Sequence, residues 1–210
     1  MGTTIDWNVI SSIATAGSAM MAGMAWWALK VQLRQGRENI SVAILREHET
    51  QFFYTNEFMR IRADTCKFLL EQIFPSTSTE SNTESADEFW VDKIVSAKKA
   101  EAVELPQEGW AIVDFLDSIA IYGDKGTIDI DMAFSKFFYF YNRYWFLLEP
   151  WIVDLRRVDG NVDYYQDISI FWRELVEYGT SQRGLAIKTP RYSPNEIREF
   201  LETELWDCRA

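Results

Sequence analysis

A single histidine, His48, limits the catalytic chemistry that this sequence of 210 residues can support. A Ser-His-Asp triad would have to use His48, because an imidazole is the base in that arrangement. The neighbours Arg46 and Glu47 are charged, so we expect His48 to be a solvated surface side chain and not a catalytic base. A di-iron site in a helical bundle needs two Glu-x-x-His pairs, and the chain contains no such pair.

Two pairs of carboxylates are spaced three residues apart, Asp114 with Asp117 and Glu174 with Glu177. This spacing puts both members of a pair on one helix face, as a metal site or an acid-base pair requires. Asp114 and Asp117 also flank an apolar stripe, so partial burial would shift their pKa values. Because the chain has 32 acidic residues, chance produces such pairs as well, and we expect solvated faces.

The other residues that commonly bind metals or anions are few. Cys66 and Cys208 cannot form a disulfide framework and lack metal-ligand spacing, so they indicate a reducing compartment. Arg156 and Arg157 could bind an anion, but a basic pair near a helix end more commonly interacts with the helix dipole. We therefore predict no catalytic residue, no metal site and no cofactor. The net charge of −11 repels phosphate backbones and argues against a nucleic-acid partner.

The run from Trp7 to Leu29 contains 23 consecutive residues without a charge. A helix of that length reaches about 34 Å at about 1.5 Å per residue, enough to cross a hydrocarbon core of about 30 Å. A cleaved signal peptide is the alternative, but residues 1–6 contain no Lys or Arg and no cleavage site is evident. We therefore predict a retained transmembrane anchor over residues 1–30.

Flanking charges predict the orientation of this anchor. Four basic residues and one acid lie between Lys30 and Arg46, whereas the N-terminal side offers only Asp6 and the α-amino group. By the positive-inside rule the C-terminal side is cytoplasmic, which places the protein in the inner membrane with its larger part in the cytoplasm. The residues predicted to lie at the two membrane interfaces are Trp7, Trp26, Trp27, Lys30 and Arg34.

The anchor is rich in small residues, and several of them are four residues apart. Such spacing lets two membrane helices approach closely, and the hydroxyl groups tolerate water on one side of the helix. We therefore expect the anchors to pack together in a homo-oligomer or to line a pore. The residues predicted to do so are Ser11, Ser12, Ala16, Ser18, Ala19 and Gly23.

After the anchor the sequence predicts only helices. Apolar residues recur at helical spacing through residues 31–74, a stalk followed by the first helices, with a break from Tyr54 to Asn56. No apolar residue occurs from residue 76 to residue 85, so residues 75–88 are predicted to be a flexible loop. Residues 89–210 are predicted to form a helical bundle that begins with a helix from Phe89 to Val103. No stretch has clean strand alternation, so the predicted class is all-α.

Local signals predict several helix ends inside the bundle. Asp129 is a candidate N-cap, and Ser193 begins a Ser-Pro-Asn-Glu capping box at the head of the C-terminal helix. Pro150 is predicted to interrupt one helix, because proline has no N–H to donate. Gly179 is predicted to be the C-cap of another helix.

The segment from Phe134 to Phe146 has nine aromatic residues among thirteen. A helix that is apolar nearly all round is buried on several sides, in a core or in an oligomer interface. We expect core packing, since large aromatic side chains at helical spacing commonly fill space between helices. The aromatic residues that we assign to a core or an assembly interface are Phe137, Phe138, Tyr141 and Trp145.

Three segments carry a family resemblance: DFLDSIAIYGDKGTID from residue 114, YNRYWFLLEPWIVDLRR from residue 141 and YYQDISIFWREL from residue 164. Within them residues 114–123, 125–129 and 144–150 are similar to the patterns of a bacterial family of uncharacterised proteins. The resemblance implies one N-terminal membrane helix and an all-helical cytoplasmic domain. It also implies an association with bacterial defence, and it supplies no catalytic residue.

These patterns lead to the expectation of a non-enzymatic, single-pass membrane protein that oligomerises through its cytoplasmic helical domain, as a membrane pore or effector in bacterial defence. The expected partners are membrane lipid, further copies of the chain and a protein partner. One alternative is a membrane-tethered adaptor, with a partner on the acidic surface or on the loop from Ser76 to Glu84. The other is an enzyme that uses carboxylates such as Asp114 and Asp117.

Overall fold

The computed structural model describes residues 7–74, 103–185 and 192–208, without the side chains of residues 7–16 and 19. Over these ranges the chain is helical and has no strand, which confirms the all-α prediction. The predicted loop over residues 75–88 and most of the predicted helix over residues 89–103 lie outside the described residues. The helices are α1 Trp7–Tyr54, α2 Asn56–Ile73, α3 Gln107–Asp124, α4 Ile130–Asp159, α5 Gln166–Ser181 and α6 Pro194–Asp207.

The chain divides into two compact units, Met1–Ala43 and Ile44–Ala210, and the division falls inside α1. In the first unit, the described side chains between residues 17 and 30 are all exposed. None of the helices, as far as they are described, combines the length and the apolar character that a membrane crossing requires. The predicted span begins at Trp7, and its side chains at residues 7–16 and 19 lie outside the described residues. The anchor therefore stays a prediction.

Three helix starts follow the local sequence signals. α1 ends at Tyr54, and the Thr55 hydroxyl accepts from the backbone N–H of Phe58 to begin α2. Asp129 caps α4 by accepting from the backbone N–H of Met132. Ser193 and Glu196 form the predicted reciprocal capping box of α6. In each case the side chain binds an N–H group that the first turn of a helix leaves without a partner.

Two predicted helix ends are wrong. α4 continues through Pro150 to Asp159 and ends at Gly160, which has φ of 66°. Proline costs a helix about 3 kcal/mol, but burial of large apolar side chains such as Leu148 and Ile152, on either side of Pro150, contributes about 1.5–3 kcal/mol each. Gly179 is buried within α5, which continues to Ser181. Packing therefore overrides the local preference at both positions.

The core of the second unit is centred on α4, which contributes more buried residues than any other described helix. Tyr141 and Tyr144 are fully buried, and Phe137 and Trp145 are 2% and 3% exposed. Phe138 is partly buried and stacks on Phe134 at 4.4 Å between ring centroids. All four aromatic residues singled out from the sequence therefore pack in or against the core of this chain.

Helices α3 and α5 approach closely at Gly123. A Cβ atom on Gly123 would lie 2.2 Å from the ring of Phe171, which is itself 2% exposed. No real Cβ atom occupies such a position without displacement of its neighbour. The absence of a side chain at Gly123 therefore permits this helix pair to pack with Phe171 in the core.

Candidate functional site

A cavity of about 580 Å³ lies in the second unit, between the C-terminal part of α1, the start of α2 and α3. Its volume falls within the range of about 300–1,000 Å³ that is usual for small-molecule sites. We call it the His48 cavity. The residues that line it are Glu47, His48, Gln51, Thr55, Glu57, Phe58, Ile61, Ala111, Asp114, Phe115, Ser118 and Tyr122.

The predicted solvated position of His48 is wrong, because the side chain is only 9% exposed. Its Nδ1 lies 2.8 Å from the backbone oxygen of Ile44, and its Nε2 lies 3.0 Å from the Ser118 hydroxyl. The imidazole also contacts the rings of Phe115 and Tyr122, with centroids 5.6 and 5.8 Å away. Burial of His48 depends on residues of α3 that follow it by about seventy positions, so the charged neighbours in sequence gave a misleading signal.

The hydrogen bonds of His48 and Ser118 require more protons than a neutral imidazole and one hydroxyl supply. The Ile44 oxygen only accepts, so Nδ1 of His48 carries a proton. The Ser118 hydroxyl also lies 2.7 Å from the backbone oxygen of Phe115, another acceptor. A neutral His48 leaves one hydroxyl proton for both Nε2 and the Phe115 oxygen.

A histidine within hydrogen-bond distance of a serine hydroxyl resembles the base and nucleophile of acyl-transfer enzymes. Here Nδ1 of His48 is held by a backbone oxygen in place of a carboxylate. Ser118 lies inside α3, where the helix bonds use the surrounding backbone N–H groups, so these groups do not form an oxyanion hole. The arrangement therefore suits binding better than acyl transfer.

The two members of the predicted pair Asp114 and Asp117 have different surroundings. Asp114 is exposed, lines the cavity and accepts a hydrogen bond of 2.9 Å from the Tyr165 hydroxyl. Burial, together with this bond, raises the pKa of Tyr165. Asp117 is partly buried outside the cavity, and desolvation, with repulsion from Asp167 and Asp114, raises its pKa to about 6.

The fold does not bring together the other residues that were candidates for metal or anion binding. Glu174 and Glu177 are exposed on α5, and Arg157 pairs with Asp154 on α4. Arg156 donates to the backbone oxygen of Tyr164. Among the described residues, no three His, Cys, Asp or Glu side chains are arranged to hold a metal ion.

A buried polar cluster joins α2, α4 and α6. Arg62 donates from Nε and Nη2 to one carboxylate oxygen of Glu204 at 3.0 and 2.7 Å, and the Tyr144 hydroxyl donates to the same oxygen at 2.8 Å. Arg62 also donates to the backbone oxygen of Phe52 and lies over its ring. Burial raises the pKa of the neighbouring Cys66 thiol to about 12. The cluster orients the C-terminal helix, and it presents no reactive thiolate.

The residues predicted to act in a membrane lie in the first unit. Trp26, Trp27, Lys30 and Arg34 are exposed, and the Lys30 ammonium lies 5.4 Å from the Trp26 ring. Ser18 and Gly23 are exposed as well. The predicted residues whose side chains lie outside the described ones are Trp7, Ser11, Ser12, Ala16 and Ala19.

No family model matches the chain, and comparisons with curated proteins and with solved structures found no match either. The resemblance to a bacterial membrane-protein family therefore stays a prediction.

Proposed function

We propose that this protein is a non-enzymatic, single-pass membrane protein that works as a homo-oligomer, with residues 44–210 as a cytoplasmic helical domain. In this proposal the N-terminal helices pack together through their small residues and act on the membrane, as a pore or effector would in bacterial defence. The proposal extends the predicted anchor and the family resemblance, and its support comes from the first unit.

The observation that carries the proposal is the exposure of large apolar side chains along α1. Met20, Met21, Met24, Trp26 and Trp27 each expose between 57% and 70% of their surface. Contiguous apolar surface of this kind in a monomer commonly marks a membrane or protein contact. Lipid is the favoured cover, because this stretch belongs to an uncharged run of 23 residues.

The polar residues that follow support the predicted orientation. Lys30 lies over the Trp26 ring, and Arg34 pairs with Glu38 one turn further along α1. An aromatic residue next to a basic one is typical of the cytoplasmic interface, where anionic lipid attracts the cation. Residues 44–210 follow this interface along the chain and are therefore proposed to be cytoplasmic.

The first experiment tests membrane integration. Membranes from cells that express the full chain are washed at alkaline pH and with high salt, and the protein is followed in the pellet. We expect it to remain with the membrane under both washes. Release under either wash overturns the anchor and with it the proposed function.

The second experiment tests assembly by mass measurement of the full chain in a membrane mimic. We expect a defined oligomer, and we expect Gly23→Ile to dissociate it, because a branched side chain prevents close helix approach. A Cβ at Gly23 meets nothing within 4 Å, so we expect this change to leave the monomer fold intact. Met24→Ile, at the next exposed position, is the matched control. A strict monomer of the unmodified chain overturns the proposal.

A further inference from the structure

The His48 cavity presents an excess of negative charge. Glu47, Glu57 and Asp114 come from three different helices, and all three are exposed and line the cavity. Within the described part of the chain, no lysine or arginine lines it and none of the three carboxylates forms an ion pair. Repulsion between these carboxylates favours a cationic occupant.

The polar groups of the cavity are also short of donors. The Thr55 hydroxyl donates its proton to the backbone oxygen of Gln51 at 2.7 Å. The Ser118 proton is required by two acceptors, Nε2 of His48 and the Phe115 oxygen. Glu47, Glu57 and Asp114 only accept, so the lone pairs in the lining outnumber the protons of the Gln51 amide and the Tyr122 hydroxyl. An occupant with several N–H donors would fit this balance.

Aromatic and aliphatic side chains form the rest of the lining. Phe58 and Phe115 are both 5% exposed, and Ile61 and Ala111 lie beside them in the cavity wall. Such surfaces accept methylene groups, and aromatic faces attract cations. Because no three potential ligands among the described residues are arranged for a metal ion, an organic cation suits the cavity better than a bare metal.

We infer that the His48 cavity is a binding site for an alkyl diammonium compound, with its ammonium groups among Glu47, Glu57 and Asp114 and its methylene groups against Phe58 and Phe115. Each ammonium group supplies three donors, which the carboxylates and the hydroxyl oxygens accept. Binding of this kind does not require assembly in a membrane, so the inference is independent of the proposed function.

His48 makes the inference directly measurable. It is the only histidine of the chain, so its Cε1–H group gives a single imidazole signal in the NMR spectrum of the full chain in detergent. The probe is 1,5-diaminopentane, and the neutral control of similar length is 1,5-pentanediol, both added at fixed pH and ionic strength. We expect a saturable shift of the His48 signal with the diamine and no saturable shift with the diol.

Two matched variants locate the effect. Glu57→Gln removes one charge from the cavity and is expected to weaken diamine binding by about tenfold. Glu202→Gln removes another exposed glutamate, on α6 and outside the cavity lining, and is expected to leave binding unchanged. Circular dichroism verifies that both variants keep the helical fold. Lack of saturation with the diamine, an equal response to the diol, or equal weakening in both variants overturns the inference.

Discussion

In the unit Met1–Ala43, Trp26 and Trp27 expose 65% and 66% of their surface, whereas in the unit Ile44–Ala210, Phe137 and Trp145 expose 2% and 3%. Both pairs lie on long helices with many apolar residues. Phe137 and Trp145 are buried in the core of the second unit, whereas Trp26 and Trp27 are exposed among the described residues. Apolar content alone therefore does not define a core, and the exposed tryptophans are suited to a cover that the described part of the chain does not supply.

Truncation of one aromatic residue in each unit should separate these two uses most clearly. Phe137→Ala is expected to lower the free energy of unfolding by about 3–5 kcal/mol, because it leaves a cavity in the core. Trp27→Ala is expected to change it little and to weaken membrane retention instead. Denaturant unfolding in detergent and membrane washing measure the two effects. Equal destabilisation by both changes would contradict the comparison.

The ion pairs of the two units allow a second comparison. Glu204→Ala is expected to destabilise the fold by about 3 kcal/mol, because it leaves the buried Arg62 without its partner. Glu38→Ala removes the exposed partner of Arg34, and we expect a loss below about 0.5 kcal/mol. Unfolding of the two variants by denaturant, measured side by side, tests this difference. If Glu204→Ala lowered the free energy of unfolding as little as Glu38→Ala, α6 would contribute little to stability.

Two glycines give a third comparison, because alanine in place of each is expected to change the stability in opposite directions. Gly123→Ala is expected to destabilise the fold by about 1–3 kcal/mol, because the new methyl group meets the Phe171 ring. Gly36→Ala meets nothing within 4 Å on a helix and is expected to stabilise α1 by up to about 1 kcal/mol. Thermal unfolding followed by circular dichroism distinguishes destabilisation from stabilisation. Stabilisation by Gly123→Ala would mean that α3 and α5 are further apart than described.

The smallest expected effect concerns Asp117 and pH. Its pKa is raised from 3.8 to about 6 in the folded chain, so the folded state binds the proton more tightly than the unfolded state. The free energy of unfolding should therefore increase as pH falls through about 6 towards 4. This gain should be lost when the pH rises again. Partial exposure screens the effect, so Asp117→Asn is expected to add only about 1 kcal/mol at pH 7. Glu174→Gln, an exposed change on α5, is the control, and unfolding is compared at pH 7 and pH 5.

Local features of this fold were predictable from the sequence because their partners are neighbours. Thr55, Asp129 and Ser193 each bind a backbone group three residues away, so a short stretch of sequence contains the whole interaction. The helical class followed from the spacing of apolar residues in the same way.

The candidate cavity was not predictable, because its geometry depends on distant contacts. His48 meets Ser118 across 70 positions, and Arg62 meets Glu204 across 142. Neither pair leaves a signal in the residues around it, and charged neighbours made His48 look solvated. A pattern in one sequence reports the face of a helix, whereas the partner of that face is decided by the tertiary packing.

Because Cys66 is buried, its rate of alkylation would measure how often the second unit opens. Its thiol is fully buried with a pKa of about 12, so an alkylating reagent reacts with it only after the surrounding helices separate. In a Cys208→Ser background, the rate of alkylation would then report how often the packing of α2 against α4 and α6 opens in the native protein. Addition of a ligand or assembly in a membrane would slow the alkylation of Cys66 only if it stabilises that packing. The rate of one chemical reaction would therefore report events at either unit.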